Sequence, residues 1–296
     1  MRNILTVRKM IKLNNGFLIP EIGYGTFPNK EKLVEVIPIA YKNGYKLIDT
    51  SDNYLNEEFV GQGLSKIDSQ DIVVVSKFSQ PLRTFDLEKC FNESKQKLGK
   101  LNIYLLHWPF NHLWKQQWKL MEALYSDGLC DAIGVCNFDM GYMKELLSFC
   151  KIKPAINQLE RHPLFQQKEI CNLCKKESIQ IMSYSPVARM YNDLHESKIL
   201  KEIASKYQKT VSQIIMRWNI DTGCIPIPAS TSEKHIRENI DVFDFQLSDD
   251  EISSINGMEA GKRIRFNPRT RFTNKQKVKF FIYRYGHNLI KRFKKK

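Results

Sequence analysis

A chain of 296 residues can bury a full core, and a single α/β barrel of about 250 residues plus extensions fits that length. No run of about 18 apolar residues occurs, so no membrane-spanning helix is expected, and the polar start Met1-Arg2-Asn3-Ile4-Leu5-Thr6-Val7 does not read as a secretory signal. Seven cysteines, an odd number spread along a long chain, argue against a disulfide framework and for a reducing cytoplasmic setting. The 46 basic and 32 acidic residues are unevenly placed: 14 Lys and Arg and no Asp or Glu lie from Lys262 to Lys296, leaving 32 against 32 elsewhere. The basic character therefore belongs to the tail.

From the N-terminal side, Lys9 to Ile19 reads as a β-hairpin turning at Asn15-Gly16, suited to covering the bottom of a barrel. Ile22-Gly23-Tyr24-Gly25-Thr26-Phe27 follows, with glycines that permit close backbone approach. A helix is expected over Glu31–Asn43, with Leu33, Val34, Ile37 and Ala40 on one side. Tyr45-Lys46-Leu47-Ile48 reads as a buried strand ending in Asp49, with Tyr54 five residues on. Glu57–Leu64 begins the next helix. Its Gly61-Gln62-Gly63 is no dinucleotide fingerprint, because it neither follows a strand nor has the third glycine.

The alternation continues. Asp71–Ser76 is a β-branched strand that delivers Lys77, and Asp86–Leu98 is helical. Asn102–Leu106 is a strand that delivers His107, and Trp114–Tyr125 is a helix closed by Ser126-Asp127-Gly128. Asp131–Val135 leads to Cys136-Asn137-Phe138, Pro154–Asn157 to Gln158, Ile179–Ser183 to Tyr184-Ser185-Pro186, and Cys224–Pro228 to Ala229-Ser230-Thr231. Eight strand candidates separated by helical patterns predict an α/β chain folded as a (β/α)8 TIM barrel.

Asp49, Lys77 and His107 thus stand at the ends of three successive strands. Each alone reads as a helix cap, a surface charge or a core histidine. Together they converge, because the C-terminal strand ends of such a barrel share one face. Asp49-Thr50-Ser51-x-x-Tyr54, Ser76-Lys77 and Leu106-His107-Trp108-Pro109 resemble the catalytic tetrad of the aldo-keto reductase family, and the likeness covers roughly residues 8 to 268. The resemblance implies an oxidoreductase that reduces an aldehyde or ketone with NADPH or NADH. Tyr54 would be the general acid, Lys77 and Asp49 would tune it, and His107 would orient the carbonyl. A free tyrosine has a pKa of about 10, so a nearby cation that lowers it is expected.

The same resemblance places Asn137, Gln158 and Tyr184 at the nicotinamide positions of a cofactor site, to which Gly25, Thr26, Asp49 and Ser185 would also belong. Asn137 and Gln158 could hydrogen-bond a carboxamide, and Tyr184 could stack on a flat ring. Cys136 stands where the family commonly has serine. Pro228 to Asn239 opens a helix whose free N–H groups suit an anion. It resembles the family's site for the adenosine 2′-phosphate, with Ser230, Glu238 and Asn239 matching and Thr231 a further candidate contact. Ala229 and His235 stand where lysine and arginine are usual, so a preference for NADPH is in question. Phe27 and Trp108, with Tyr24, would line the carbonyl pocket. No metal site is expected.

Cys171-x-x-Cys174 falls in a helical pattern over Gln167–Lys176 and lacks the strand that precedes a thioredoxin-like pair. Asn92-Glu93-Ser94 is a glycosylation sequon without a secretory context. The expected domains are a barrel over 1–268 and a basic amphipathic extension over 269–296. In the extension Val278, Phe281, Ile282, Tyr285, Leu289 and Phe293 recur at helical spacing among lysines and arginines. Its stripe could pack on the barrel or dock on an anionic membrane at the inner face. No recognised nucleic-acid module accompanies the basic run. A monomer is expected. A nicotinamide-binding regulatory or membrane-associated scaffold protein with little turnover is the alternative to an enzyme.

Overall fold

Period-two alternation along short strands decides what this chain encloses. The computed structural model describes residues 10–79, 86–109, 113–265 and 267. Among these, the hairpin strands β1 (Met10–Lys12) and β2 (Leu18–Pro20) pair antiparallel, with Ile11 opposite Ile19. Eight parallel strands follow in chain order: β3 (Tyr24–Gly25), β4 (Leu47–Asp49), β5 (Val73–Phe78), β6 (Ile103–Leu106), β7 (Ala132–Cys136), β8 (Ile156–Glu160), β9 (Gln180–Tyr184) and β10 (Cys224–Pro226). Each pairs with the next.

Two backbone bonds join the sheet's ends. Gly23 N donates to Pro226 O at 3.0 Å and Gly25 N to Pro228 O at 2.9 Å. Glycine is required at both positions. A Cβ on Gly23 would lie 2.4 Å from Leu47 Cδ2, and one on Gly25 would lie 2.9 Å from Ile227 O.

The helices are α1 (Leu33–Lys42), α2 (Glu57–Leu64), α3 (Leu87–Leu98), α4 (Trp114–Ser126), α5 (Met140–Leu147), α6 (Lys168–Lys176), α7 (Asn192–His195), α8 (Lys198–Tyr207), α9 (Val211–Asp221), α10 (Glu233–Ile240) and α11 (Asp249–Asn256). Outward strand residues such as Ile48, Val74, Tyr104, Ile133 and Leu159 pack with the inner faces of the first helices in one apolar cluster. Inward residues such as Leu47, Val73, Val75, Ile103, Leu105, Ile156, Met182 and Ile225 form a second, inside the barrel.

The hairpin closes the barrel's lower end. Leu13 and Ile19 join the interior cluster, Asn14 Nδ2 donates to Pro154 O at 3.0 Å, and Asn15 Nδ2 donates to Asp131 O at 2.8 Å. Pro154 and Asp131 lead into strands, so the opposite end is left for chemistry. No helix among the described residues is long and apolar enough to cross a membrane. The expected boundary at Pro268 and the extension 269–296 lie outside the described residues.

Candidate active site

The interior parity that starts with Val73 and Val75 brings Lys77 into the barrel, and Leu47 does the same for Asp49. Ile103 and Leu105 set the parity for His107, Cys136 ends β7, and Ile156 sets it for Gln158 and Glu160. Burying a lysine requires a partner. Lys77 is fully buried. Its Nζ donates to Asp49 Oδ2 at 2.7 Å, to Thr50 O at 2.6 Å and to Tyr54 Oη at 3.3 Å. Burial alone would favour the neutral amine. The Asp49 carboxylate outweighs it, with help from Tyr54, and holds the ammonium well above its usual pKa.

Tyr54 closes a short 3-10 turn over Asp52–Tyr54. Leu55 beside it is left-handed (φ 55°), and the buried Asn56 fixes the corner. Asn56 Oδ1 accepts from Thr50 Oγ1 at 2.7 Å, and its Nδ2 donates to Asn29 O at 2.9 Å. The Tyr54 ring packs against Phe27 with centroids 4.9 Å apart and edge-on to His107 at 5.8 Å. Burial is the largest influence on the phenol and raises its pKa, while Lys77 pulls it back. The expected downward pull of a nearby cation is present, from Lys77, but desolvation by burial exceeds it and the net shift is upward.

His107 Nδ1 lies 2.5 Å from Ser79 Oγ and 3.1 Å from Ser51 Oγ, and the two hydroxyls are 3.1 Å apart. A hydroxyl that donates to Nδ1 leaves the ring proton on Nε2. Sequence reasoning missed Ser79 and gave Ser51, though part of the quoted motif, no role. Ser79 continues the inward alternation two residues past Lys77, and that parity was the available signal. The Trp108 ring stacks on His107 at 5.8 Å.

Tyr24 does not line this pocket. It is outward on β3, belongs to the layer between strands and helices, and donates to Ser230 O at 2.5 Å. Alternation turns the small Gly23 and Gly25 inward and the tyrosine out. Gly25 and Thr26 have their donors engaged within the barrel: Thr26 N and Oγ1 both reach Asp49 O, at 3.1 and 3.0 Å.

Around the wall, Gln158 Nε2 donates to Asp49 Oδ1 at 2.7 Å. Asn137, left-handed at φ 63°, donates to His107 O at 3.1 Å and accepts from Tyr184 Oη at 2.7 Å. A primary amide has two donor hydrogens and two lone pairs on oxygen. Asn137 therefore retains one of each and Gln158 retains its Oε1, a set that matches a flat carboxamide. The Cys136 thiol beside them is fully buried, and burial raises its pKa.

Away from the mouth, Ser230 Oγ accepts from Ser232 N at 3.1 Å before α10. Ser232 caps that helix without a side-chain bond. Ala229, Thr231, His235 and Arg237 are exposed, and Glu238 and Asn239 are half-buried. Lys234 Nζ lies 3.8 Å from Glu238 Oε1.

The family model described as the aldo/keto reductase family matches residues 20–260. The chain belongs to the aldo/keto reductase family. It is 37% identical over 270 residues to the glyoxal reductase of Bacillus subtilis (strain 168), covering 89% of this chain and 97% of that one. It is 34% identical over 265 residues to a methylglyoxal reductase of Escherichia coli (strain K12), covering 88% and 96%. An aldo-keto reductase from a Medee basin deep-sea metagenome library superposes with a TM-score of 0.84 at 34% identity, covering 88% and 99%. An aldo-keto reductase of Bombyx mori, solved in complex with NADP, gives 0.83 at 30% identity, covering 88% and 95%.

Proposed function

We propose that this chain is an oxidoreductase that reduces an aldehyde or ketone to an alcohol, with Tyr54 as general acid and NADPH or NADH as cofactor. One observation carries the reading: a fully buried Lys77 ammonium bonded at once to Asp49 and to the Tyr54 hydroxyl, at the open end of the barrel. The donor set of Asn137 and Gln158 fits the carboxamide of a nicotinamide, and Tyr184 presents the adjoining ring. When bound, that cofactor supplies the hydride.

The chain's own residues handle the oxygen. Tyr54 passes its phenolic proton to the oxyanion as it forms, and the Lys77 ammonium stabilises the phenolate left behind. Asp49 anchors Lys77, and Gln158 anchors Asp49. His107, oriented through Nδ1 by Ser79 and Ser51, points Nε2–H at the same oxygen. Phe27 and Trp108 offer apolar surface to the non-reacting part of the substrate and exclude water. Glyoxal and methylglyoxal, on which the similar bacterial enzymes act by name, are the first compounds to try.

The test is oxidation of NADPH and NADH followed by absorbance with glyoxal, methylglyoxal and a panel of aromatic aldehydes. Carbonyl-dependent oxidation is expected. Tight nucleotide binding without turnover of any carbonyl would contradict the reading and favour a binding protein.

For the tail we infer docking on an anionic membrane surface, with the monomeric enzyme otherwise cytoplasmic. The support is its 11 basic and no acidic residues from Arg269 onward, interleaved with apolar residues at helical spacing. Equal binding of the full chain and of a chain ending at Pro268 to phosphatidylserine vesicles would contradict it.

A further inference from the structure

Phe27, the ring packed on Tyr54, carries two guanidinium groups. The Arg265 Cζ lies 5.1 Å from its centroid and the Arg189 Cζ 5.9 Å. They come from distant parts of the chain. Arg189 sits in the loop after β9, where Ala188 and Arg189 are both left-handed (φ 49° and 54°). Side chains other than glycine rarely adopt that backbone, and such strain concentrates at functional loops. Arg265 is brought back from beyond α11. Ala260 N and Lys262 N both donate to Leu164 O, and the Glu160 carboxylate at the top of β8 accepts from Ile264 N at 2.6 Å and from Arg265 N at 3.0 and 3.1 Å.

Two like charges thus lie around one aromatic ring. Burial and the neighbouring Arg265 both disfavour the charge on Arg189. Among the described residues no carboxylate lies within ion-pair distance of either guanidinium. The nearest candidate, Glu160, is already engaged by those backbone N–H groups, by Arg263 at 3.8 Å and by His162 at 3.3 Å. Two planar forks beside Phe27, neither of which meets a carboxylate among the described residues, match an anion that arrives with the substrate. Phe27 lies next to the proton donor, its centroid 4.9 Å from that of the Tyr54 ring, and the guanidiniums lie 5.1 and 5.9 Å from Phe27 in turn.

Resting on the reductase reading above, we propose that Arg189 and Arg265 form a cationic rim that selects carbonyl substrates bearing a carboxylate remote from the reacting carbon. Oxo acids and aldehyde acids would be the preferred class, ahead of neutral carbonyls of equal size.

The experiment compares 4-carboxybenzaldehyde with its methyl ester, methyl 4-formylbenzoate, at low ionic strength. Wild type, Arg189→Met, Arg265→Met and the double variant are assayed, with circular dichroism to confirm folding. Wild type is expected to favour the carboxylate in kcat/KM by roughly tenfold to a hundredfold. That ratio should fall stepwise toward one in the single and double variants and shrink with added salt. The dissociation constant for NADPH, read by quenching of tryptophan fluorescence, should stay within a factor of about three of wild type, since less than 1 kcal/mol is then lost. A weakened NADPH affinity with an unchanged carboxylate-to-ester ratio would assign the rim to the cofactor's diphosphate and overturn the proposal. Wild-type turnover of both compounds without preference would overturn it while leaving the reductase reading intact. No turnover of either compound would overturn both.

Discussion

Lys77 Nζ and Asp49 Oδ2 meet at 2.7 Å with side-chain exposures of 0% and 4%. Removing one member of such a pair strands the other, which typically costs about 3–5 kcal/mol. Lys77→Met should therefore destabilise the fold by that amount in urea denaturation and abolish turnover. Lys77→Met combined with Asp49→Asn should be more stable than Lys77→Met alone. Equal stability of the single and double variants would show that the pair is not coupled.

The pH dependence follows from the phenol. Burial raises the Tyr54 pKa above its ordinary value of about 10, against the pull of Lys77. Reduction needs the phenol protonated, so its rate is lost only as pH rises through that raised pKa. kcat/KM for reduction should be flat from about pH 6 to pH 9 and fall beyond about pH 10. Alcohol oxidation needs the phenolate and should rise with pH across the same range. A reduction rate halved below pH 8 would contradict this assignment.

Ser79 acts through His107. Losing the 2.5 Å contact to Nδ1 should lower kcat/KM by roughly threefold to tenfold, the equivalent of one neutral hydrogen bond. Ser51, at 3.1 Å from the same nitrogen, can substitute in part. Ser51→Ala/Ser79→Ala should consequently lose more than the two single variants combined. Steady-state kinetics of the three variants decide this.

Asn56 fixes the corner that presents Tyr54. Its replacement by Ala would leave the Thr50 hydroxyl and the Asn29 carbonyl without their partner. A loss of about 1–3 kcal/mol in stability is expected, together with a fall in kcat. Unchanged kcat in a destabilised variant would show that the corner holds the fold but does not place the phenol.

Ala229 and His235 leave the phosphate end of the cofactor site short of fixed charge. Lys234 is drawn to Glu238, and Arg237 lies two residues from His235, turned to another side of the helix. NADH should be used within about tenfold of NADPH in kcat/KM. Ala229→Lys/His235→Arg should shift that ratio toward NADPH by roughly tenfold or more. A strong NADPH preference in the wild type would contradict the reading.

The barrel was legible from the alternation of strand and helix patterns, and Asp49, Lys77 and His107 from their places at three strand ends, whereas Tyr54, on a turn, was found through the motif resemblance. Once Val73 and Val75 face inward, Lys77 must follow, and the same logic carries Asp49 and His107 to one mouth. The hairpin was legible from Asn15-Gly16 for a local reason. Tyr24 was misplaced because the pocket aromatic was read from proximity in sequence, whereas alternation sends it outward. The caps of α9 and α11 were readable and overlooked: Thr210 with Gln213 and Ser248 with Glu251 form capping boxes. Arg265 was not legible at all. Its place over Phe27 depends on Glu160, 105 residues earlier, gripping its backbone, and no local pattern announces that contact.

The central claim is that the Tyr54 hydroxyl delivers the proton. Its most direct test is the single-turnover rate of aldehyde reduction by Tyr54→Phe and by wild type, with NADPH affinity measured on both. A drop of about a hundredfold to ten-thousandfold with unchanged affinity is expected. A Tyr54→Phe enzyme that reduces the aldehyde at the wild-type rate would contradict the account.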